Sequence, residues 1–145
     1  MTRILVAGGR VRVSQRAVEA VLDRLATTLS KPIVVIHGNA KGTDTIADHW
    51  ARDRGHTPDP YPVDAKLDGY SELAPKMRNH RMLDQGPEIV VAFPGGPGTR
   101  HMTEIAQKAR VPIYDVELDD GVFRVFRWGK SPKEKAELIA TGSYT

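Results

Sequence analysis

Three glycine-rich segments and a few charged side chains are the residues in this sequence best placed to do chemistry. The densest is Pro94-Gly95-Gly96-Pro97-Gly98-Thr99, which follows the apolar run Ile89-Val90-Val91-Ala92-Phe93 and opens a segment with helical spacing to about Arg110. A strand entering such a turn, with a helix behind it, presents a concave row of backbone N–H groups that suits an anion, above all a phosphate. Gly95, Gly96 and Gly98 allow close approach to the backbone, and Thr99 adds a hydroxyl. Gly8-Gly9-Arg10 and the loop from Gly38 to Gly42 are two further turns at the ends of apolar runs. Asp44, at the start of the next helix, either compensates the helix dipole or binds a ribose hydroxyl or base edge. Arg78 lies in a basic helix with Lys76, His80 and Arg81. Its guanidinium is either a solvated charge or, beside Asn79, a fork for a phosphate or carboxylate. Arg10 is a weaker candidate of the same kind.

Several familiar sites are excluded by spacing. Gly38-Asn39-Ala40-Lys41-Gly42-Thr43 lacks the length and the Gly-Lys-Ser/Thr ending of a P-loop, and Gly8-Gly9-Arg10-Val11-Arg12 is not GxGxxG. Nucleoside triphosphate hydrolysis and standard NAD binding both lose support. The histidines at 37, 49, 56, 80 and 101 show no metal-ligand spacing, and there is no cysteine, so no metal is expected. No Ser/His/Asp or Cys/His arrangement stands out, and no cofactor is implied.

The elements that position these residues follow from hydrophobic patterning. Ile4–Ala7, Ile33–His37 and Ile89–Phe93 are continuous apolar runs of the kind buried on both faces of a parallel sheet. Ser14 caps a predicted helix carrying Val18, Val21, Leu22, Leu25 and Leu29, and a second helix runs from about Thr43 to Arg54. Prolines 58, 60 and 62 argue against a central strand from Thr57 to Val63 and point to a short edge strand or an extended segment. Asp64 to Leu73 reads as loop, Ala74 to Asp84 as helix, and Pro112 to Val116 as strand. Alternation of this order predicts a Rossmann-like α/β three-layer sandwich with a mostly parallel sheet, its three glycine turns at the carboxyl ends of strands. Residues 1–118 form that domain. Residues 119–145 are an appendage of it: a turn at Asp119-Asp120-Gly121, a strand over Val122–Trp128, then a capping box at Ser131–Glu134 opening a short helix to about Ala140.

Composition sets the remaining bounds. At 145 residues, 40% hydrophobic and 27% charged, the chain fits one globular domain. Its net charge of +3 is too mild and too dispersed for a dedicated nucleic-acid binder, and aromatics are only 6%. The N-terminal apolar run is too short for a signal peptide and no run has membrane-spanning length, so a cytoplasmic protein with no membrane partner is expected.

Pro94-Gly95-Gly96-Pro97-Gly98-Thr99 resembles the PGGxGTxxE signature of the LOG proteins, which release the base from nucleoside 5′-monophosphates. These belong to the SLOG superfamily together with the DNA-processing DprA/Smf proteins. The chain is more similar still to the YspA/YpsA-related SLOG branch, through four blocks in order: Ile4 to Arg10, His37 to Ala51, Arg78-Asn79 with Met82-Leu83, and the focal turn. The resemblance implies a nucleotide or nucleotide-derived small molecule as partner, with phosphate on Gly95, Gly96, Gly98 and Thr99. Arg78 would be a charged or catalytic partner, and Gly8, Gly9, Arg10, Gly38, Gly42, Asp44 and Asn79 the walls. It also implies a homo-oligomer, dimer or higher, which would help to cover Phe123, Phe126 and Trp128. The alternative activity is base release by N-glycosidic cleavage. That reaction uses the signature's final glutamate, and residue 102 is Met here. Glu104 is on a different helical face, with Arg100 and Lys108, whereas Met102, Ile105, Ala106 and Ala109 share the apolar one. His101 lies close to the turn, at a position open to either ligand or solvent.

Overall fold

The computed structural model describes residues 1–130 and 134–145. Five parallel strands come first: β1 (Thr2–Ala7), β2 (Ile33–His37), β3 (Thr57–Pro60), β4 (Ile89–Ala92) and β5 (Ile113–Asp119). Two antiparallel strands, β6 (Val122–Trp128) and β7 (Lys135–Ser143), extend them, so the sheet order is β3-β2-β1-β4-β5-β6-β7. The helices are α1 (Gln15–Ala26), α2 (Thr43–Asp53), α3 (Ala65–Asp68), α4 (Ala74–Leu83) and α5 (Pro97–Lys108).

Strand alternation divides the core between the two sheet faces. Ile4, Val6, Ile33, Val35 and Val91 meet α1 and α2 on one face, while Leu5, Ile36, Val90, Ala92 and Ile113 meet Met82 of α4 and Met102, Ile105 and Ala106 of α5 on the other. This is the expected three-layer sandwich, with helices on both sides of a mostly parallel sheet. Ser14 accepts the Ala17 N–H at 3.1 Å and caps α1 as predicted. The proline-bearing β3 takes the sheet edge, where a missing N–H costs least.

Across the first layer, α1 and α2 are joined by a polar clasp beside Trp50. The Trp50 indole is 1% exposed and donates to Asp23 Oδ1 at 2.8 Å, and Arg54 grips Asp23 and Glu19 from outside. Trp50→Phe removes the indole donor and leaves Asp23 its arginine. It is expected to lower unfolding stability by about 1–2 kcal/mol, read as an earlier urea midpoint at unchanged slope.

Three expectations need correction. The helix predicted to about Ala140 is instead strand β7 from Lys135 onward, while residues 131–133 of its capping box, Ser131–Glu134, lie outside the described residues. Pairing with β6 and packing against α1 override the local helical preference of Lys135 to Ala140. β7 also answers what covers the tail: Phe123 is 3% exposed, and a side chain at Gly142 would collide with its ring. Trp128 is half-buried and donates to Asp115 Oδ2 at 3.0 Å. Within the predicted 64–73 loop, α3 forms because Asp64 accepts the Lys66 N–H and buried Asp68 takes two hydrogen bonds from Arg81. Ala109 sits at the exposed C-cap of α5, past the apolar face formed by Met102, Ile105 and Ala106.

Candidate functional site

β1 and β4 are neighbours in the sheet, but the chain leaves β1 for α1 on one face and β4 for α5 on the other. Their loops part at the carboxyl ends, the switch point where open α/β sheets hold ligands. A cleft of about 230 Å³ lies there. Its wall carries Gly8, Arg10, Gly38, Asp44, Arg78, Asn79, Gly98 and Thr99, so eight of the twelve predicted site residues meet in it.

The three glycine turns are sewn together by backbone hydrogen bonds. Gly9 N–H donates to the Pro94 carbonyl at 2.9 Å, and the Thr43 N–H and hydroxyl both donate to the Gly9 carbonyl, at 3.1 and 3.0 Å. Close approach explains most of the glycines without a ligand. A β-carbon at Gly8 would collide with Thr43, one at Gly38 with the Arg78 guanidinium, and one at Gly95 with Thr99 Oγ1 and Gly9 N. Gly42 combines a φ of 77° with a carbonyl contact of the same sort. Gly96 and Gly98 are different, since a β-carbon at either would meet nothing within 4 Å; of the two, Gly98 is helical and lines the cleft.

The helix termini differ in the same way. α1 has its serine cap, and the α2 terminus is covered by the Gly9 carbonyl. α5 has no side-chain cap, and neither the Gly98 nor the Thr99 N–H has a protein acceptor among the described residues. Two convergent donors at the positive end of a helix are thus left open towards the cleft.

On the opposite wall, Arg78 and Asp44 are held by the Gly38–Gly42 loop. Arg78 is 7% exposed, and its Nη1 donates to the carbonyls of Gly38 at 2.6 Å and Tyr61 at 3.1 Å. This side of the guanidinium is spent on architecture, whereas Nη2 is not buried and has no protein partner among the described residues. Asp44 Oδ2 accepts the N–H groups of Gly38 at 3.0 Å and Ala40 at 3.3 Å, which braces the loop, while Oδ1 is unpaired among the described residues. Burial pushes the Asp44 carboxyl above its ordinary value, opposed by those N–H groups and by the charge of Arg78. Burial likewise lowers Arg78, opposed by Asp44. The wall therefore offers one guanidinium edge and one carboxylate oxygen, a pair suited to a sugar hydroxyl or a polar base edge.

The remaining predicted residues separate by role. Arg10 is an exposed cation at the rim. Asn79 faces the cleft with both ends of its amide occupied inside the protein: Oδ1 accepts Arg78 Nε at 3.3 Å, and Nδ2 lies 3.3 Å from the Gly98 carbonyl and 3.1 Å from His101 Nδ1. Gly9, Gly42 and Gly95 shape the turns from behind, and Gly96 is the exposed N-cap of α5. Glu104 points to solvent, off the cleft wall, and no ion pair closes with Arg100 or Lys108 among the described residues. Met102 lies on the cleft wall and is 1% exposed among Leu5, Ile36 and Met82.

Three cleft residues with charged or polar side chains are absent from the predicted set: Glu72 and Lys76 at the rim, and His101. His101 has a readable signal. Counting three residues from Gly98 along a helix returns to the face that bears the turn. Glu72 and Lys76 have none, because their approach depends on how the 64–77 segment packs.

The model of the YspA, cpYpsA-related SLOG family matches residues 2–67, which include the first two glycine turns. Over 121 residues the chain is 37% identical to the gene 61 protein of Mycobacterium phage D29, covering 78% of this chain and 94% of that protein. Among solved structures, the X-ray structure of TM1055 superposes with a TM-score of 0.62 at 21% identity, over 78% of this chain and 72% of that one. At that identity the likeness is one of fold.

Proposed function

Because the chain belongs to the YspA, cpYpsA-related SLOG family, we propose that it binds a nucleotide or nucleotide-derived small molecule, as a sensor or sponge. Phosphate rests on the open α5 terminus, and the sugar or base meets Asp44 Oδ1 and Arg78 Nη2. The observation that carries this reading is Gly98: nothing in the folded chain requires a glycine there, yet it lines the cleft beside two unpaired N–H donors. A phosphate seated on those donors supplies the requirement.

Base release is the less favoured reading. Residue 102 is a thioether packed into the core, which neither moves a proton nor stabilises an oxocarbenium charge. The two cleft carboxylates are engaged or peripheral: Asp44 braces a loop, and Glu72 is exposed at the rim.

Thermal shift across a panel of nucleoside 5′-mono- and diphosphates, with high-performance liquid chromatography of the same mixtures, tests both readings. At a hundredfold excess over Kd a true ligand adds about 2.7 kcal/mol, or a Tm rise of roughly 5–10 °C, with no free base formed. Absence of any shift across the panel counts against the binding reading, and steady base release that disappears in Arg78→Ala replaces it with the enzymatic one.

A further inference from the structure

His101 is fixed by its neighbours in one chemical state. Asn79 lies between Arg78 Nε, which can only donate, and the Gly98 carbonyl, which can only accept. Those two partners set the amide orientation, oxygen towards Arg78 and nitrogen towards Gly98. The second Nδ2 hydrogen then points at His101 Nδ1, 3.1 Å away, which must accept it. The ring proton is left on Nε2. This nitrogen has no protein partner among the described residues, and it is not among the buried unpaired atoms. Helical side chains lean towards the N-terminus of their helix, so the ring covers the Gly98 turn rather than the turn after it. His80 packs edge-on against it, with ring centroids 5.4 Å apart.

We propose that His101 is a specificity-determining donor of the cleft: the Arg78–Asn79 relay holds it as the neutral Nε2–H tautomer, and Nε2–H supplies a third hydrogen bond, beside the Gly98 and Thr99 N–H groups, to a phosphate oxygen. This rests on the phosphate site described above and adds to it a side chain with a defined proton. Surroundings favour the same state. Burial, then His80 and Lys76 of α4, lower the imidazole below its ordinary 6.5, with Lys108 acting likewise and Glu104 opposing on α5 itself. Protonating Nδ1 would also set an N–H against the Asn79 NH₂. The relay gives Asn79 a positioning role, since its amide is fully used within the protein.

Nuclear magnetic resonance on histidine-¹⁵N-labelled protein tests the relay without any ligand, with His101→Gln assigning the signal. The expected result is an Nε2–H tautomer titrating below 6.5. Asn79→Asp supplies an acceptor in place of the donor and is expected to move the proton to Nδ1 and raise the midpoint by about one unit or more. A wild-type ring protonated on Nδ1, or a midpoint unmoved by Asn79→Asp, overturns the relay. Inorganic phosphate then tests the contact, followed by the Gly98 and Thr99 amide shifts. His101→Phe keeps the ring volume and is expected to weaken phosphate about tenfold, and His101→Gln, which restores a terminal N–H, to recover most of that loss. Equal phosphate affinity in His101→Phe and wild type overturns the proposal while leaving the site intact. No shift at Gly98 and Thr99 in the wild type removes both the site and the proposal.

Discussion

Gly98→Ala is expected to separate binding from folding by moving them in opposite directions. The new methyl meets nothing within 4 Å, and a helical alanine is favoured over glycine by about 0.4–1 kcal/mol, so Tm holds or rises slightly. The same methyl tilts towards the helix N-terminus, into the space in front of the Gly98 and Thr99 N–H groups. An anion held back from two charge-assisted hydrogen bonds loses on the order of a hundredfold in affinity. Calorimetric titration with the best nucleotide of the panel, beside a thermal melt of each protein, reads both effects. Undiminished affinity in Gly98→Ala would mean that the ligand does not approach the α5 terminus. Gly95→Ala is the contrasting case: its methyl strikes Thr99 and the Gly9 backbone, so lost binding there would report a distorted turn.

That contrast marks how far residue types and spacing reach by themselves. The run from Ile89 to Thr99 announces strand, turn and helix, and the short apolar runs of β1 and β2 announce a parallel sheet, because burial on both faces leaves no other pattern. The convergence of Gly8, Gly38, Gly98 and Thr99 on one cleft follows from the rule for strand carboxyl ends. Glycine type alone, however, does not distinguish Gly95, which the turn requires sterically, from Gly98, which it does not. Only the positions of Thr99 and Gly9 make that distinction. β7 is hidden for a related reason. Lys135 to Ala140 has an ordinary helical preference, and the partner that overrides it, β6, is felt only across the sheet. Arg78 is visible as a candidate, but its division of labour is not. Nη1 is tied to Gly38 and Tyr61, contacts made across 40 and 17 residues of chain, and only Nη2 remains for a ligand.

Met102→Glu restores the carboxylate of the LOG-type signature and is expected to destabilise the protein more at high pH than at low. Met102 is 1% exposed and packs with Leu5, Ile36, Met82 and Ile105, so an ionised carboxylate there is desolvated and unpaired. Burial raises the folded-state pKa of such a group above its unfolded value of about 4.3. The folded state then binds the proton more tightly than the unfolded state does. Stability is least affected below the unfolded pKa and falls as pH rises towards the folded one, to a loss on the order of 3–5 kcal/mol near neutrality. Urea midpoints for the variant and wild type at several pH values check the sign, the expected result being a gap that widens between about pH 5 and pH 8. A gap independent of pH would show that the side chain swings into the cleft and is solvated there. In that case the site has room for the signature glutamate, and Met102 marks a lost catalytic group rather than a core position. A widening gap instead makes residue 102 part of the floor on which the glycine turn is built, a core position with no room for the signature glutamate, which favours the proposed binding over base release.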